Sequence, residues 1–172
     1  MAYGRQKDPM RQYLGKVSKA KGQAFEKTLD TTFEYYKEKG FAHIEKTPEP
    51  MRPVRNLGNG KFEAFYEKKA QADYKGTLKG GRTIIFEAKF TDAEKMEKSR
   101  VSKEQTDYIE DHYRLGARCY VLAGFGTGET YCIPWDVWQN MKELFGRKYV
   151  TEKDIQKYKL KVGWNGVLLI LE

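Results

Sequence analysis

Phe25, Leu29, Phe33 and Tyr36 recur at i, i+4, i+8 and i+11, which lays one apolar stripe along a helix, and Gly40 follows as a stop; the pattern predicts a helix over 22–39. Phe41-Ala-His-Ile reads as a short strand, and Pro48, Pro50 and Pro53 forbid a helix through the next stretch. Asn59-Gly60 stands between Val54-Arg-Asn-Leu and Phe62-Glu-Ala-Phe-Tyr, a hairpin pattern, because a type I′ turn needs positive φ at both central positions. Such a ribbon either packs Phe62, Phe65 and Tyr66 into the core or projects outward and offers them to a partner. Lys69 to Tyr74 and Thr83 to Phe90 read as neighbouring strands joined through a loop holding Gly76, Gly80 and Gly81.

Ser102-Lys-Glu-Gln105 is a capping-box pattern that opens a helix ending before Gly116. Cys119-Tyr-Val-Leu-Ala and Glu129-Thr-Tyr-Cys-Ile are two further strands, turned through Gly126 and Gly128. After Pro134, the residues Trp135, Trp138, Met141 and Phe145 repeat at helical spacing and form core. The apolar tail from Trp164 to Leu171 reads as a last strand. The order is helix, several strands, helix, two strands, helix, which predicts an α/β fold: a central mixed sheet flanked by helices, with a protruding two-stranded ribbon.

At 172 residues the chain fits one domain. Lys and Arg number 32 against 24 acidic residues, a net charge of +8, and that excess suits a protein that meets polyanions. With 12 Tyr, 9 Phe and 3 Trp the chain is too rich in rings for a disordered basic tail. The charge is clustered. Met1 to Gln23 holds Arg5, Lys7, Arg11, Lys16, Lys19 and Lys21 against Asp8 alone, which predicts a flexible basic arm over about 1–20 ahead of a single domain over 21–172. Arg52 to Arg82 carries eight basic residues against three acidic ones and includes the ribbon at about 52–68. No apolar run reaches the ~18 residues of a membrane span, and no apolar leader opens the chain, so neither a membrane partner nor export is expected and the location is cytoplasmic. Cys119 and Cys132, with His43 and His112, match no zinc-ligand spacing, and both thiols are expected to be reduced.

One strand breaks the hydrophobic rule. Between Ile84 and Phe90 the side chains alternate, so Ile85, Glu87 and Lys89 share one face while Ile84, Phe86, Ala88 and Phe90 take the other. Burying Glu87 and Lys89 without partners is costly, and functional sites are where such violations concentrate. Gln71 and Asp73 also share a face one strand earlier, so pairing of the two strands can bring Asp73, Glu87 and Lys89 together. Two adjacent carboxylates hold Mg²⁺ or Mn²⁺ through hard oxygen ligands, and a neighbouring lysine offsets charge developing on a phosphate. That is phosphodiester hydrolysis chemistry. The alternative is a solvent-exposed Glu-Lys pair on a strand edge, with Asp73 in a turn.

The arrangement Asp73-(x13)-Glu87-Ala-Lys89 resembles the signature of the PD-(D/E)xK nuclease superfamily, and the wider pattern resembles the RecU-type Holliday junction resolvases of Gram-positive bacteria and their phages. The likeness rests on Lys21-Gly-Gln-Ala-Phe-Glu26, the Pro-rich connector into a basic hairpin, Ala72-Asp-Tyr-Lys-Gly76, Ile85-Phe-Glu-Ala-Lys89, Gln105 in the following helix and Tyr120-Val-Leu-Ala-Gly-Phe125, over about residues 20–145. It implies a restriction-endonuclease-like fold and a homodimer that cuts four-way junction DNA symmetrically, with Mg²⁺ as cofactor or Mn²⁺ in its place, leaving 5′-phosphate ends. By motif match Asp73 and Glu87 hold the metal, Lys89 assists attack, and Gln105 completes the site. The family's ligand two residues before the aspartate, commonly threonine, is Gln71 here, whose amide oxygen can coordinate; the usual His-Gln pair is Glu104-Gln105. Glu26 matches a supporting helix glutamate.

The resemblance also makes the ribbon a stalk that enters the open junction centre, with Arg55, Lys61, Phe62, Phe65 and Tyr66 contacting bases or phosphates and Lys68, Lys69 and Lys75 beside it. The arm, through Arg5, Arg11, Lys16, Lys19 and Lys21, would add affinity without base specificity. Two other functions fit the same residues: a nuclease for linear, damaged or foreign DNA, and a non-catalytic DNA-binding protein.

Overall fold

The computed structural model describes residues 9–48, 50–66 and 71–171. It opens with helix α1 (Pro9–Glu38), then strands β1 (Ala42–Lys46), β2 (Met51–Gly58), β3 (Lys61–Tyr66), β4 (Tyr74–Leu78), β5 (Thr83–Thr91) and β6 (Lys95–Glu97). Helix α2 (Lys103–Arg114), β7 (Arg118–Phe125), β8 (Thr130–Pro134), the short helices α3 (Trp135–Gln139) and α4 (Met141–Phe145), and β9 (Tyr149–Thr151) follow. The central sheet runs β1-β4-β5-β7-β8 and is mixed: β5 and β7 are parallel and every other pair is antiparallel.

Alternation along β5 and β7 divides the core in two. Ile84, Phe86, Tyr74 and Leu122 face α1 and meet Phe25, Leu29, Phe33 and Tyr36, the stripe read from the sequence. On the opposite face Ile85, Val121, Ala123 and Ile133 meet Ile109 of α2, Trp135 and Trp138 of α3 and Met141 of α4. The tryptophan stripe is therefore core, as expected, although the helix that carries it breaks at Asn140. Cys119 and Cys132 are free thiols, and burial pushes both up to about 12. Among the described residues no helix is long and apolar enough to cross a membrane.

Four features depart from the sequence reading. Helix α1 starts at Pro9 rather than near 22, so the stretch expected as an irregular arm is helical wherever it is described. Met10, Tyr13, Leu14 and Val17 continue the helical spacing there, and the intervening Lys, Gln and Ala residues are good helix formers. The strand expected over Lys69 to Tyr74 instead begins at Tyr74, and Gly76 lies within it rather than in the following loop. A Cβ on Gly76 would fall 2.0 Å from the His43 carbonyl oxygen, so close approach of β1 to β4 demands glycine. The turn is made farther on by Gly80 (φ 95°) and Gly81 (φ 89°). The tail forms no regular strand: it is held to α1 by Tyr36, whose hydroxyl donates to Leu168 O at 2.9 Å and accepts from Ile170 N at 2.8 Å. Lastly, β6 pairs with β9 in a small two-stranded sheet that periodicity over three residues is too short to reveal.

The ribbon projects. β2 and β3 form their own two-stranded sheet around Asn59 (φ 50°) and Gly60 (φ 73°), the positive-φ turn read from the sequence. Phe62 and Phe65 are three residues apart and so point to opposite faces, and both are more than half exposed.

Candidate active site

β4 and β5 build the site through their register. Tyr74 pairs with Phe86, which sets Asp73, one residue before β4, beside Glu87 on β5. The Asp73 main-chain N–H donates to Glu87 Oε2 at 3.3 Å, and the Ala88 N–H donates to Asp73 Oδ2 at 2.9 Å. From the end of β1, the Thr47 N–H fixes the Asp73 carbonyl at 2.8 Å. Lys89, two residues along the same face of β5, contacts Glu87 Oε1 and lies 3.7 Å from Asp73 Oδ2. The structure thus brings Asp73, Glu87 and Lys89 together, and the alternative of a solvent-exposed pair fails because Glu87 is fully buried.

Burial acts on that carboxyl. Removal from water pushes Glu87 up to about 7, the nearby Asp73 charge adds to the rise, and Lys89 opposes it. The Lys89 ammonium bridges the two carboxylates where a cation is called for. The donor set fits a divalent ion: both ligands are hard oxygens and Asp73 is partly open to solvent. Among the described residues no third His, Cys, Asp or Glu converges on them, so water and phosphate oxygens would fill the remaining positions, as suits Mg²⁺.

The Gln105 amide oxygen accepts from Ser102 N at 3.2 Å, and the Ser102 hydroxyl accepts from Gln105 N at 3.2 Å, completing the capping box. Gln105 therefore lies on the helix covering the Glu87 face, but its amide is engaged in capping and bonds to none of Asp73, Glu87 or Lys89. Gln71 is exposed in the irregular segment before β4, and its amide oxygen accepts from Lys75 Nζ at 3.4 Å. Glu26 pairs with Lys46 at 2.6 Å, and that hydrogen bond raises the Lys46 pKa. One turn along α1, Asp30 accepts from the buried Tyr74 hydroxyl at 2.8 Å. Burial, and then this bond, drive the phenol well above its ordinary range.

Asp30 and Lys46 are not among the residues that the sequence singles out, and Tyr74 enters there only within Ala72-Asp-Tyr-Lys-Gly76, without a role of its own. The i, i+4 spacing of Glu26 and Asp30 on the stripe-bearing helix was the available signal. Of the proposed DNA contacts, Arg55, Lys61, Phe62 and Phe65 are exposed on the ribbon, Lys75 is exposed on β4, and Lys16 and Lys19 are exposed on α1. Lys21 is bound to Asp92 at 2.7 Å. Only the backbone of Tyr66 and Arg11 is described, and Arg5, Lys68 and Lys69 lie outside the described residues.

Comparison with known proteins places the chain in a family. The family model for recombination protein U matches residues 20–171. The chain belongs to the recombination protein U family. Its relatives include the Holliday junction resolvase RecU of Geobacillus kaustophilus, 29% identical over 148 residues spanning 80% of this chain and 74% of that one. The Streptococcus pneumoniae protein of the same name is 30% identical over 146 residues, 80% of this chain and 73% of its own. That of Streptococcus sanguinis is 32% identical over 121 residues, covering 66% and 60%. Among solved structures, the Holliday junction resolvase Hjc of Archaeoglobus fulgidus aligns over 83% of this chain and 92% of its own at 15% identity, with a TM-score of 0.47, too loose a likeness to argue from. In this chain an acidic pair and a lysine, Asp73, Glu87 and Lys89, stand at the meeting of β4 and β5.

Proposed function

We propose that this protein is a metal-dependent, structure-selective DNA endonuclease that resolves four-way junctions by nicking two opposed strands symmetrically. The observation that carries the reading is the buried constellation of Asp73, Glu87 and Lys89 in a chain of the recombination protein U family, whose relatives bear the name Holliday junction resolvase. Asp73 and Glu87 would hold Mg²⁺ or Mn²⁺. When bound, the ion supplies an activated water and neutralises charge on the phosphate under attack. Lys89, anchored by Glu87, points its ammonium at the same place and stabilises charge as the 3′-oxygen leaves, so that products carry 5′-phosphates. Gln105 would join the site only by leaving its cap; Gln71 and Glu26 would act from its margin.

Two symmetric cuts need two active sites, and a two-fold homodimer matches a two-fold junction. The exposed ribbon, with Arg55, Lys61, Phe62 and Phe65, would occupy the junction's open centre. Junction DNA in the cytoplasm is then the substrate.

The test is incubation of the purified protein with a labelled synthetic four-way junction in Mg²⁺, with EDTA and Asp73→Asn as controls, reading binding and strand cuts together. Paired symmetric nicks that need both Mg²⁺ and Asp73 are expected. Tight binding without cleavage in Mg²⁺ or Mn²⁺ would overturn the enzyme reading, and unselective duplex cutting would make it a general nuclease.

A further inference from the structure

Beside Lys89 runs a groove walled by α1 on one side and by the end of β5 with Arg100 on the other; Gly15, Ser18, Lys19 and Gly22 line its helical side. Two glycines inside a helix each weaken it relative to alanine, so their presence calls for a reason. Packing supplies none: a Cβ built on Gly15 or on Gly22 meets no atom within 4 Å. The contrast with Gly124 is instructive, because a Cβ there would fall 2.9 Å from Phe25 Cδ2 and glycine is required by the core. The missing side chains of Gly15 and Gly22 instead leave space on the groove side of α1, in line with the active site.

The charge in the groove is free to be used. The Arg100 guanidinium donates through Nη2 to the Phe90 carbonyl at 2.7 Å, which pins it one residue beyond Lys89, and no carboxylate pairs with it among the described residues. Lys19 also has no ion-pair partner there, in contrast to Lys21, which Asp92 neutralises at 2.7 Å. The acidic residue lining the groove, Glu26, is matched by Lys46 at 2.6 Å. An open channel with glycines for its helical wall and two unpaired cations, leading out from a phosphodiester-cleaving lysine, suits a sugar-phosphate backbone.

We propose that this groove is the bed for the cleaved strand on one side of the scissile phosphate, with Gly15 and Gly22 admitting the backbone against α1 and Arg100 and Lys19 each neutralising one phosphate. The proposal rests on the nuclease reading and adds to it where the strand lies and which cations hold it. Arg100 is a positioning residue: it fixes the phosphate next to the one that Lys89 serves.

The experiment measures binding of a synthetic four-way junction by fluorescence anisotropy across a salt titration in EDTA, and single-turnover cleavage in Mg²⁺. The proteins are wild type, Arg100→Gln, Lys19→Gln, Gly22→Leu and, as a control across the sheet, Lys142→Gln. Arg100→Gln and Lys19→Gln are each expected to lower the log–log salt slope by about 0.9, the value of one phosphate contact. Gly22→Leu is expected to raise Tm, since leucine favours helix, while weakening junction binding and slowing cleavage. Replacing single phosphates beside the cut by neutral methylphosphonates should abolish the Arg100→Gln effect at one position and leave it at the others. If wild type binds and cuts but the groove variants match Lys142→Gln in slope, affinity and rate, the strand bed is refuted and the nuclease reading stands. If wild type neither binds nor cuts, the nuclease reading falls and the strand bed with it.

Discussion

The Asp73 main-chain N–H donates to Glu87 Oε2 at 3.3 Å, so two carboxylate residues fourteen positions apart are coupled through the backbone of β4 as well as through their charges. The Ala88 N–H returns a bond to Asp73 Oδ2 at 2.9 Å. A slip of one residue between β4 and β5 would break both bonds and turn Asp73 from Glu87 to its neighbour, which is why register matters more here than any local motif.

Glu87 makes the metal-free protein sensitive to pH. Its folded pKa, raised to about 7 from an ordinary 4.5, means that the folded chain holds a proton that the unfolded chain has released between those values. Its stabilising contribution is complete below about pH 4.5 and is lost as pH rises through 7, a difference of about 3 kcal/mol. Urea denaturation in EDTA from acid to alkaline pH should show this loss in wild type and not in Glu87→Gln, the difference between the two curves isolating the one group.

A divalent cation should reverse that penalty. Adding Mg²⁺ or Mn²⁺ is expected to raise Tm at pH 8 and to raise it progressively less as pH falls below 7 and Glu87 takes up its proton. Thermal melts of wild type and Asp73→Asn, with and without metal, check this; Asp73→Asn should lose most of the shift at every pH.

The ribbon aromatics are expected to serve binding and contribute nothing to stability. Phe62→Ala and Phe65→Ala remove exposed rings, so Tm should move little, within the ±0.5 kcal/mol typical of surface changes. Junction affinity should fall by about 1–3 kcal/mol per ring if each stacks on an unpaired base. Competition between junction and duplex DNA reads the difference, with the larger loss expected on the junction.

Tyr36 holds the tail in place. Tyr36→Phe deletes the hydroxyl that donates to Leu168 O and accepts from Ile170 N, leaving the buried Leu168 carbonyl and the partly buried Ile170 N–H without that partner, at a cost of about 1–3 kcal/mol. Denaturation together with faster amide exchange confined to residues 168–171 would confirm it.

Much of this protein is written in short-range pattern. The α1 stripe, the Asn59-Gly60 turn, the Ser102–Gln105 capping box and the alternating faces of β5 all follow from periodicities that the backbone itself enforces, and the structure keeps each of them. The acidic pair and lysine were legible for the same reason, since Glu87 and Lys89 interrupt an otherwise apolar strand.

What only the tertiary structure decided depends on partners far away in the chain. β4 starts at Tyr74 because its backbone pairs with β1 and β5, Gln105 remains in its cap, and the tail is fastened by Tyr36 rather than by a sheet. The ribbon stands clear of the core, and α1 extends to Pro9 beside the groove that leads to Lys89. Local sequence sets which face a side chain takes along its own element, but the depth at which Glu87 is buried and the distance at which Asp73 meets it are fixed by strand register and by the helices closing over the sheet, contacts that periodicity does not encode.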